Sequence, residues 1–318
     1  MADRFDPERL AVVGAGTMGH GIAATFASEG YDVGLHDTNE NRLETGRERI
    51  RETLQLLRDE GRVDRAAFDR ATSAVTYSTE LEPVVEDADL VVEAVTEDLE
   101  VKRTVFEDLS ELTSPETVLA SNTSGLSITE IATATDAPER VLGTHWFNPP
   151  HIVPLVEVVK GERTNDDLAA AVTAFLDDLG KTAITVEKDV PGYIGNRIQM
   201  AMCYEAFSLL DRGIASAEDI DKAVKAGFGF RLPSMGIFEK VDQSGIDVHY
   251  AIESYLMEAL DRGTDPNPVV AELVEAGDLG LKTGQGVYNW DEKNPEAVVA
   301  ARDSELLEQL ELYESMNA

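Results

Sequence analysis

The chain has 318 residues, and at about 150 residues per domain this length predicts two domains. Hydrophobic residues make up 43% of the chain, and glycine and proline occur at ordinary levels, which excludes disordered and fibrous proteins. The 61 acidic and 27 basic residues give a formal net charge of -34, which repels nucleic acids and anionic membrane surfaces, so we expect neither as a partner.

The acidic residues are spread along the whole chain, and two interpretations stay open. One is an ordinary acidic protein of the cytoplasm; the other, which we favour, is a halophilic protein adapted to high salt.

Cys203 is the only cysteine, so we expect no disulfide and no zinc site with thiolate ligands. The sequence shows no apolar signal-peptide core and no run of about 20 apolar residues, which predicts a cytoplasmic protein.

Strand and helix patterns alternate along the first half of the chain. Short apolar, β-branched runs predict strands that are buried on both faces, and the longest amphipathic pattern predicts a helix over residues 40–60. The predicted strands contain residues 11–13, 33–35, 90–92, 118–120 and 141–143. This alternation predicts an α/β fold with a mostly parallel, doubly wound sheet.

The strand signal fades after Pro191, and the remaining patterns are helical. Helices are predicted over residues 194–213, 217–227, 249–260 and 269–276. Proline and glycine interrupt the pattern at residues 188–192, where we place the boundary between an α/β domain of residues 1–188 and an all-α domain of residues 189–318. Residues 295–318 have a highly charged helix pattern, which predicts a solvated or partner-facing tail.

A glycine-rich segment follows the first predicted strand and begins the first helix. Gly14, Gly16 and Gly19 form a G-x-G-x-x-G motif, in which glycine permits a tight turn and lets the backbone approach a pyrophosphate. Asp37 ends the second strand 18 residues after Gly19, where an acid binds ribose hydroxyls and repels a 2′-phosphate. The motif predicts NAD as the cofactor; the alternative is a glycine turn in an ordinary α/β protein.

His145 has the strongest claim to chemistry among the histidines, because it ends a predicted strand and lies 12 residues before Glu157. Glu157 stands within an apolar run, so its carboxylate would be buried and would need a partner. A histidine oriented by a carboxylate is a natural general base near neutral pH. No second histidine stands at ligand spacing, so we expect no metal site. Structural or surface roles suit the remaining histidines, which are His20, His36, His151 and His249.

Six segments of the chain, taken together, show a resemblance to a known family. They are residues 14–19, 121–126, 145–149, 155–158, 191–197 and 282–286, and they cover the chain from about residue 8 to about residue 290. In their order and spacing the chain resembles the L-3-hydroxyacyl-CoA dehydrogenase family. The resemblance implies an N-terminal Rossmann-like domain that binds NAD and a helical C-terminal domain that completes the substrate cleft and through which the family forms homodimers.

Carried over to this sequence, the resemblance implies a role for each of four residues. His145 is the general base and Glu157 orients it, while Ser124 binds the substrate oxygen and Asn196 polarises the reacting carbonyl. The implied NAD contacts are Gly14, Ala15, Gly16, Thr17, Met18, Gly19, Asp37, Glu97, Lys102, Ser124, Asn148 and Lys282. The implied reaction is the reversible oxidation of an L-3-hydroxyacyl-CoA to the 3-oxoacyl-CoA, in fatty-acid β-oxidation or short-chain acyl-CoA metabolism.

Two segments depart from the family pattern, and both bear on the substrate. Where the family's long helix meets CoA with a serine and a lysine, this chain has Thr53 and an acid near Glu60, with Arg58 and Arg62 as the alternative cations for the CoA phosphate. Residues 227–236 are longer than in the short-chain acyl-CoA enzymes and resemble relatives that act on free hydroxy acids, such as gulonate or carnitine dehydrogenases. Arg231 in that segment either binds a substrate carboxylate or packs structurally beside the domain interface.

Three hypotheses about function follow from these observations. The first is an NAD-dependent 3-hydroxyacyl-CoA dehydrogenase, with 3-hydroxybutyryl-CoA or a similar ester as substrate. The second is an NAD-dependent dehydrogenase of a free 3-hydroxy acid that uses the same residues. The third is a non-catalytic, cofactor-binding structural protein, which the joint presence of Ser124, His145, Glu157 and Asn196 disfavours.

Overall fold

The structure is a computed structural model that describes residues 5–317. The chain forms two compact units, of which the first ends at Arg197 and the second begins at Ile198. The predicted domain boundary after residue 188 lies shortly before this division.

One sheet organises the first unit. Within residues 5–197 its strands are β1 (Arg9–Val13), β2 (Asp32–His36), β3 (Val75–Ser78), β4 (Leu90–Glu93), β5 (Val118–Ser121), β6 (Val141–Trp146), β7 (Leu155–Lys160) and β8 (Thr182–Val186). Their order across the sheet is β3-β2-β1-β4-β5-β6-β7-β8. Neighbouring strands are parallel except β6 and β7, which run antiparallel.

Helices connect these strands and cover both faces of the sheet. They are α1 (Gly19–Ser28), α2 (Glu40–Asp59), α3 (Arg65–Ala74), α4 (Glu82–Val85), α5 (Leu99–Leu112), α6 (Ile128–Ala132) and α7 (Asp166–Asp178), with a 3-10 turn at Pro138–Arg140. Side-chain oxygens of Asn39, Asp98 and Asn165 cap the first turns of α2, α5 and α7. The predicted α/β fold with a mostly parallel, doubly wound, Rossmann-like sheet is confirmed.

Alternate residues of the central strands face opposite sides of the sheet and build two cores. Leu10 and Val12 of β1 pack on one face, together with residues of α1, α2, α3 and α7. Ala11 and Val13 pack on the other face, with residues of α4, α5 and α6. Because both faces are covered, the central strands consist almost entirely of apolar residues.

The strand order reverses direction at β1, since β2 and β3 extend to one side of it and β4 to β8 extend to the other. Ligands of doubly wound sheets bind beyond the carboxyl ends of the strands at such a switch point. The register pairs Val13 with Glu93 and Glu93 with Ser121, so the carboxyl ends of β1, β4 and β5 lie side by side. The segments that follow these three strands are thereby gathered at one edge of the sheet.

The second unit is helical. It contains most of α8 (Gly195–Asp211), then α9 (Ala217–Ala226), a 3-10 turn (Gly229–Arg231), α10 (Ile237–Ser244), α11 (Ile246–Leu256), α12 (Pro268–Ala276) and α13 (Pro295–Asn317). Helices α9 to α12 contain no buried residue. Large apolar side chains are exposed instead, among them Phe230 (78%), Phe238 (85%) and Tyr250 (73%). Between residues 5 and 317, no helix is long and apolar enough to cross a membrane.

Candidate active site

The turn after β1 brings the backbone against the ends of neighbouring strands. Gly14 has a φ of +108°, and a Cβ at this position would lie 2.6 Å from the carbonyl oxygen of Ala94. A Cβ on Gly19 would overlap the carbonyl group of Gly14, whereas nothing lies within 4 Å of the corresponding position at Gly16. The turn itself therefore requires Gly14 and Gly19, and Gly16 leaves open space beside the backbone.

Helix α1 begins directly after this turn, and no side chain caps its N-terminus. Its free N–H groups and its dipole present partial positive charge, which suits a phosphate group. Asp37 follows β2 and is fixed by hydrogen bonds from the backbone N–H of Ala15 at 3.1 Å and of Asn39 at 2.9 Å. Three features at the switch point together fit a dinucleotide. They are the open space beside Gly16, the uncapped N-terminus of α1 and the fixed carboxylate of Asp37.

His145 and Glu157 lie opposite each other on the antiparallel strands β6 and β7. Nδ1 of His145 is 2.6 Å from Oε2 of Glu157, and the two side chains are 5% and 0% exposed. Residues that pair directly across antiparallel strands project from the same face of the sheet. The register of β6 and β7 therefore brings together the histidine and the acid that the sequence singled out.

The second carboxylate oxygen of Glu157 binds the beginning of α8. Oε1 accepts hydrogen bonds from the backbone N–H groups of Ile194 at 3.0 Å and Gly195 at 2.8 Å. Burial acts to raise the pKa of Glu157, but the hydrogen bonds from His145 and from these two N–H groups outweigh it and hold the pKa below its usual value. Glu157 is therefore an anion at neutral pH, and both of its oxygens are hydrogen-bonded.

The anionic state of Glu157 determines which ring nitrogen of His145 carries the proton. A carboxylate only accepts hydrogen bonds, so His145 donates its Nδ1–H to Glu157. The lone pair of the neutral imidazole is then on Nε2, which lies 3.4 Å from the side-chain amide nitrogen of Asn196, a donor. Nε2 is thus the atom of His145 that can accept a proton.

Asn196 lies in the first turn of α8 and joins His145 to the segment that follows β5. Its Nδ2 donates a hydrogen bond to the carbonyl oxygen of Ser124 at 3.0 Å. Ser124 is exposed, and its backbone N–H donates to Oε1 of Glu97 at 2.8 Å. The structure thus brings the four predicted catalytic residues together at the carboxyl edge of the sheet, with Glu157 buried beneath the other three.

Glu97 and Lys102 approach the same segment from the beginning of α5. Oε1 of Glu97 also accepts from the hydroxyl of Thr123 at 2.7 Å, and Oε2 lies 3.4 Å from Nζ of Lys102. The side chain of Glu97 is 45% exposed, whereas that of Lys102 is 1% exposed. Of these two predicted cofactor contacts, Glu97 presents a carboxylate at the surface, and the ammonium group of Lys102 lies beneath it.

Two aromatic rings pack around the imidazole of His145. The ring centroids of Phe147 and Tyr193 lie 4.5 Å and 5.6 Å from that of His145. The hydroxyl of Tyr193 donates to the carbonyl oxygen of Leu126 at 2.8 Å, and burial raises the pKa of Tyr193, so it remains a neutral phenol. A Cβ on Gly195 would lie 2.5 Å from the ring of Phe147, so a larger residue at this position would displace the ring.

The remaining predicted site residues lie outside this cluster. Asn148 is exposed just after β6, at the same edge of the sheet. Arg231, at the end of a 3-10 turn, and Lys282, between α12 and α13, are exposed residues of the second unit, and their roles stay predictions. Among residues 5–317, no group of three or more His, Cys, Asp and Glu side chains is arranged to hold a metal ion.

Sequence reasoning missed Glu93 and Ser121, which end the neighbouring strands β4 and β5 behind the site. Both are 0% exposed, and the hydroxyl of Ser121 donates to Oε2 of Glu93 at 2.6 Å. Glu93 ends the apolar run Leu90–Glu93. The sequence therefore already indicated a buried acid that needs a partner at this position, as it did at Glu157.

Two family models match most of the chain. Residues 9–190 match the 3-hydroxyacyl-CoA dehydrogenase NAD binding domain, and residues 192–290 match the 3-hydroxyacyl-CoA dehydrogenase C-terminal domain. The 3-hydroxybutyryl-CoA dehydrogenase of Bradyrhizobium diazoefficiens is 38% identical to this chain over 289 residues, which span 91% of this chain and 97% of that protein.

Two solved structures resemble this one over nearly their full length. One is a 5-formyl-3-hydroxy-2-methylpyridine 4-carboxylic acid 5-dehydrogenase, described as an NAD+ dependent dismutase, with a TM-score of 0.90, 32% identity and coverage of 96% of this chain and 98% of that chain. The other is the (S)-3-hydroxybutyryl-CoA dehydrogenase of Ralstonia eutropha, with a TM-score of 0.74, 35% identity and coverage of 90% and 99%. The two names give different substrates.

We expect Glu157→Gln to lower the free energy of unfolding at pH 7 by about 2 kcal/mol, because an uncharged amide binds three donors more weakly than a carboxylate does. The pKa of Glu157 is lowered in the folded protein, so its stabilising contribution is fully present above the usual carboxyl pKa of 4.5 and is lost as the pH falls through the folded value. The difference between wild type and variant should therefore narrow on acidification.

Urea denaturation of both proteins from about pH 3 to pH 7 measures this difference. Glu162→Gln, which changes an exposed acid shortly after β7, is the matched control and should stay within about 0.5 kcal/mol of wild type. If Glu157→Gln lowers the free energy of unfolding by the same amount at both ends of the pH range, the anionic state assigned to Glu157 is contradicted.

Proposed function

The chain belongs to the 3-hydroxyacyl-CoA dehydrogenase family of NAD-dependent oxidoreductases, and from that premise we propose that it oxidises a 3-hydroxyl group with His145 as the general base. The single observation that carries the proposal is the buried contact of 2.6 Å between Nδ1 of His145 and Oε2 of Glu157. Asn196 lies beside the same imidazole and donates a hydrogen bond to the carbonyl oxygen of Ser124, which favours an enzyme over a structural cofactor-binding protein.

In the proposed reaction, Nε2 of His145 removes the proton of the substrate hydroxyl. When bound, NAD+ would accept the hydride from the carbon that carries this hydroxyl. The imidazolium that forms is stabilised by the anionic Glu157 at Nδ1, and Ser124 and Asn196 donate hydrogen bonds to the oxygen as it becomes a carbonyl. A positioned acid or base of this kind contributes about 10²- to 10⁴-fold to the rate.

The NAD contacts are proposed to begin at the turn of residues 14–19. The space beside Gly16 and the uncapped N-terminus of α1 receive the pyrophosphate, and Asp37 binds the ribose hydroxyls. Glu97 and Asn148 lie at the same edge of the sheet as Ser124 and bind the nicotinamide half. Lys282 is a further proposed contact, whereas Lys102, whose side chain is 1% exposed, supports Glu97 from below.

A CoA thioester is the first candidate for the substrate. The names of both family models and of the Bradyrhizobium diazoefficiens relative support it. The product is then a 3-oxoacyl-CoA, which places the reaction in fatty-acid β-oxidation or short-chain acyl-CoA metabolism.

A free carboxylic acid is the second candidate, and helix α2 favours it. Thr53, at the position of the family's CoA-binding serine, is buried. Near the end of α2, Arg58 is paired with Asp59, and Glu60 stands where a CoA phosphate would require a cation. The TM-score of 0.90 with a dehydrogenase of a pyridine carboxylate agrees with this reading, and Arg231 would then bind the carboxylate.

A homodimer is proposed as the assembled form. Helices α9 to α12 bury none of their residues, and side chains such as Phe230, Phe238 and Tyr250 are more than two-thirds exposed. Folded proteins rarely leave large apolar patches in water unless a partner covers them. A second copy of the same chain is the partner that the family resemblance implies.

The working environment is proposed to be a cytoplasm of high salt concentration. A net charge of -34 opposes the approach of an anionic cofactor in dilute buffer. At about 1 M salt the screening length falls to about 3 Å, so local groups such as the N-terminus of α1 act with little long-range opposition.

We expect His145→Gln to lower kcat by at least about 100-fold, because glutamine cannot accept the hydroxyl proton as a base. NADH affinity should stay at the wild-type level, because the residues proposed to bind the cofactor are unchanged; NADH fluorescence titration measures it. His249→Gln, which changes a partly exposed histidine paired with Glu253 on α11, is the control and should keep full activity. A His145→Gln protein that turns over at the wild-type rate would contradict the role of His145 as the general base.

NADH oxidation with acetoacetyl-CoA and with free acetoacetate separates the two substrate candidates. We expect turnover with acetoacetyl-CoA, as the family names indicate. Activity with the free acid alone would establish the second candidate, and Arg231→Ala should then raise KM for the acid because the guanidinium partner is lost. An acid-specific enzyme that tolerates Arg231→Ala would show that Arg231 has a structural role.

Light scattering tests the homodimer. We expect a mass of twice the chain mass of 34.6 kDa, and we expect Phe238→Asp to shift the protein toward the monomer because a charge is costly in an apolar interface. Val101→Asp, at an exposed position on α5 of the first unit, is the matched control. A wild-type monomer at micromolar concentration would refute the proposal.

A further inference from the structure

Glu93 and Lys102 form an ion pair behind the site that is closed to solvent. Nζ of Lys102 lies 2.8 Å from Oε1 of Glu93, and the two side chains are 1% and 0% exposed. Oε1 of Glu93 also accepts from the backbone N–H of Val95 at 2.7 Å, and Oε2 accepts from the hydroxyl of Ser121 at 2.6 Å. Glu93 is too deeply buried to touch cofactor or substrate, yet its hydrogen bonds lead toward the residues that do.

Lys102 connects this buried pair to the exposed edge of the sheet. Its ammonium group lies between two carboxylates, with Glu93 at 2.8 Å and Glu97 at 3.4 Å. Glu97 uses its other oxygen to hold the hydroxyl of Thr123 at 2.7 Å and the backbone N–H of Ser124 at 2.8 Å. The position of the Ser124 backbone therefore depends on where Glu97 points.

Glu97 lies within reach of both the ammonium group of Lys102 and the backbone of Ser124. Glu93 is the nearer partner of Lys102 and satisfies most of its charge, so Glu97 remains available to Thr123 and Ser124. A buried ammonium that loses its nearer carboxylate is costly, because no water replaces the lost interaction. With a neutral side chain at position 93, Lys102 would draw Glu97 inward and away from Ser124.

We propose that Glu93 is a positioning residue, which occupies the ammonium group of Lys102 and thereby keeps Glu97 on the backbone of Ser124. Glu93 acts through Lys102 and Glu97 and takes no part in the proton or hydride transfer itself. The relevance of Ser124 to the substrate rests on the proposed function, but the positioning of its backbone does not.

Hydrogen–deuterium exchange of the full-length protein tests the positioning without cofactor or substrate. In Glu93→Gln, which keeps the side-chain volume and removes the charge, we expect the amides of residues 122–126 to exchange at least about fivefold faster than in wild type, because the hydrogen bond from Ser124 to Glu97 opens. Asp89→Asn is the matched control, since Asp89 accepts two backbone hydrogen bonds at the opposite end of β4. Equal exchange in wild type and in a folded Glu93→Gln protein would overturn the proposal, and so would the same increase in Asp89→Asn.

A double variant separates the loss of charge balance from a loss of packing. In Glu93→Gln with Lys102→Met no buried ammonium is left to draw Glu97 inward, so exchange over residues 122–126 should return to the wild-type rate. This neutral pair also provides the test if Glu93→Gln alone does not fold, because an ion pair replaced on both sides is tolerated better than one broken on one side. Fast exchange in a folded double variant would mean that the segment depends on packing, and would overturn the proposal.

NADH affinity gives a second readout of the same displacement. We expect the Kd for NADH to rise about fivefold in Glu93→Gln, as Glu97 leaves the cofactor side. An unchanged Kd in a Glu93→Gln protein whose residues 122–126 exchange fast would refute the cofactor role of Glu97 in the proposed function, and leave the positioning role of Glu93 standing. If the protein turns over neither acetoacetyl-CoA nor free acetoacetate, the proposed function is contradicted, but the positioning role of Glu93 is not.

Discussion

A carboxylate removed from water needs a hydrogen-bond donor for each of its oxygens, and most of the site follows from meeting this requirement twice. Glu157 meets it with the imidazole of His145 and with the first N–H groups at α8. Glu93 meets it with Ser121, Lys102 and a backbone N–H. In each case the donors come from different elements, so satisfying one buried charge also joins strands and helices at fixed distances.

The fold could be predicted where a strand is buried on both faces, and not where it is partly exposed. The predicted runs at residues 11–13, 33–35, 90–92, 118–120 and 141–143 lie within β1, β2, β4, β5 and β6. Strands β3 and β8, at the two edges of the sheet, are only partly buried, so their sequences lack a continuous apolar run. The apolar run of β7 was recognised for Glu157, but its antiparallel direction depends on partners that are distant in the sequence.

The candidate site, like the fold, could be predicted only in part from the sequence. An acid in an apolar run requires a partner, and this indicated Glu157 and, through it, His145. Lys102 was different, because a lysine five residues after Glu97 resembles an ordinary solvated helix start. Only the position of α5 over the end of β4 shows that the ammonium group is buried against Glu93.

The residues proposed to handle the proton all precede residue 198, whereas Arg231, the candidate for recognising a carboxylate, follows it. The proposed base and the proposed carboxylate-binding residue thus lie in separate stretches of the chain. A substitution at Arg231 therefore leaves the contact between His145 and Glu157 unchanged in sequence, so the proposed recognition of a carboxylate can be altered separately from the proposed proton transfer.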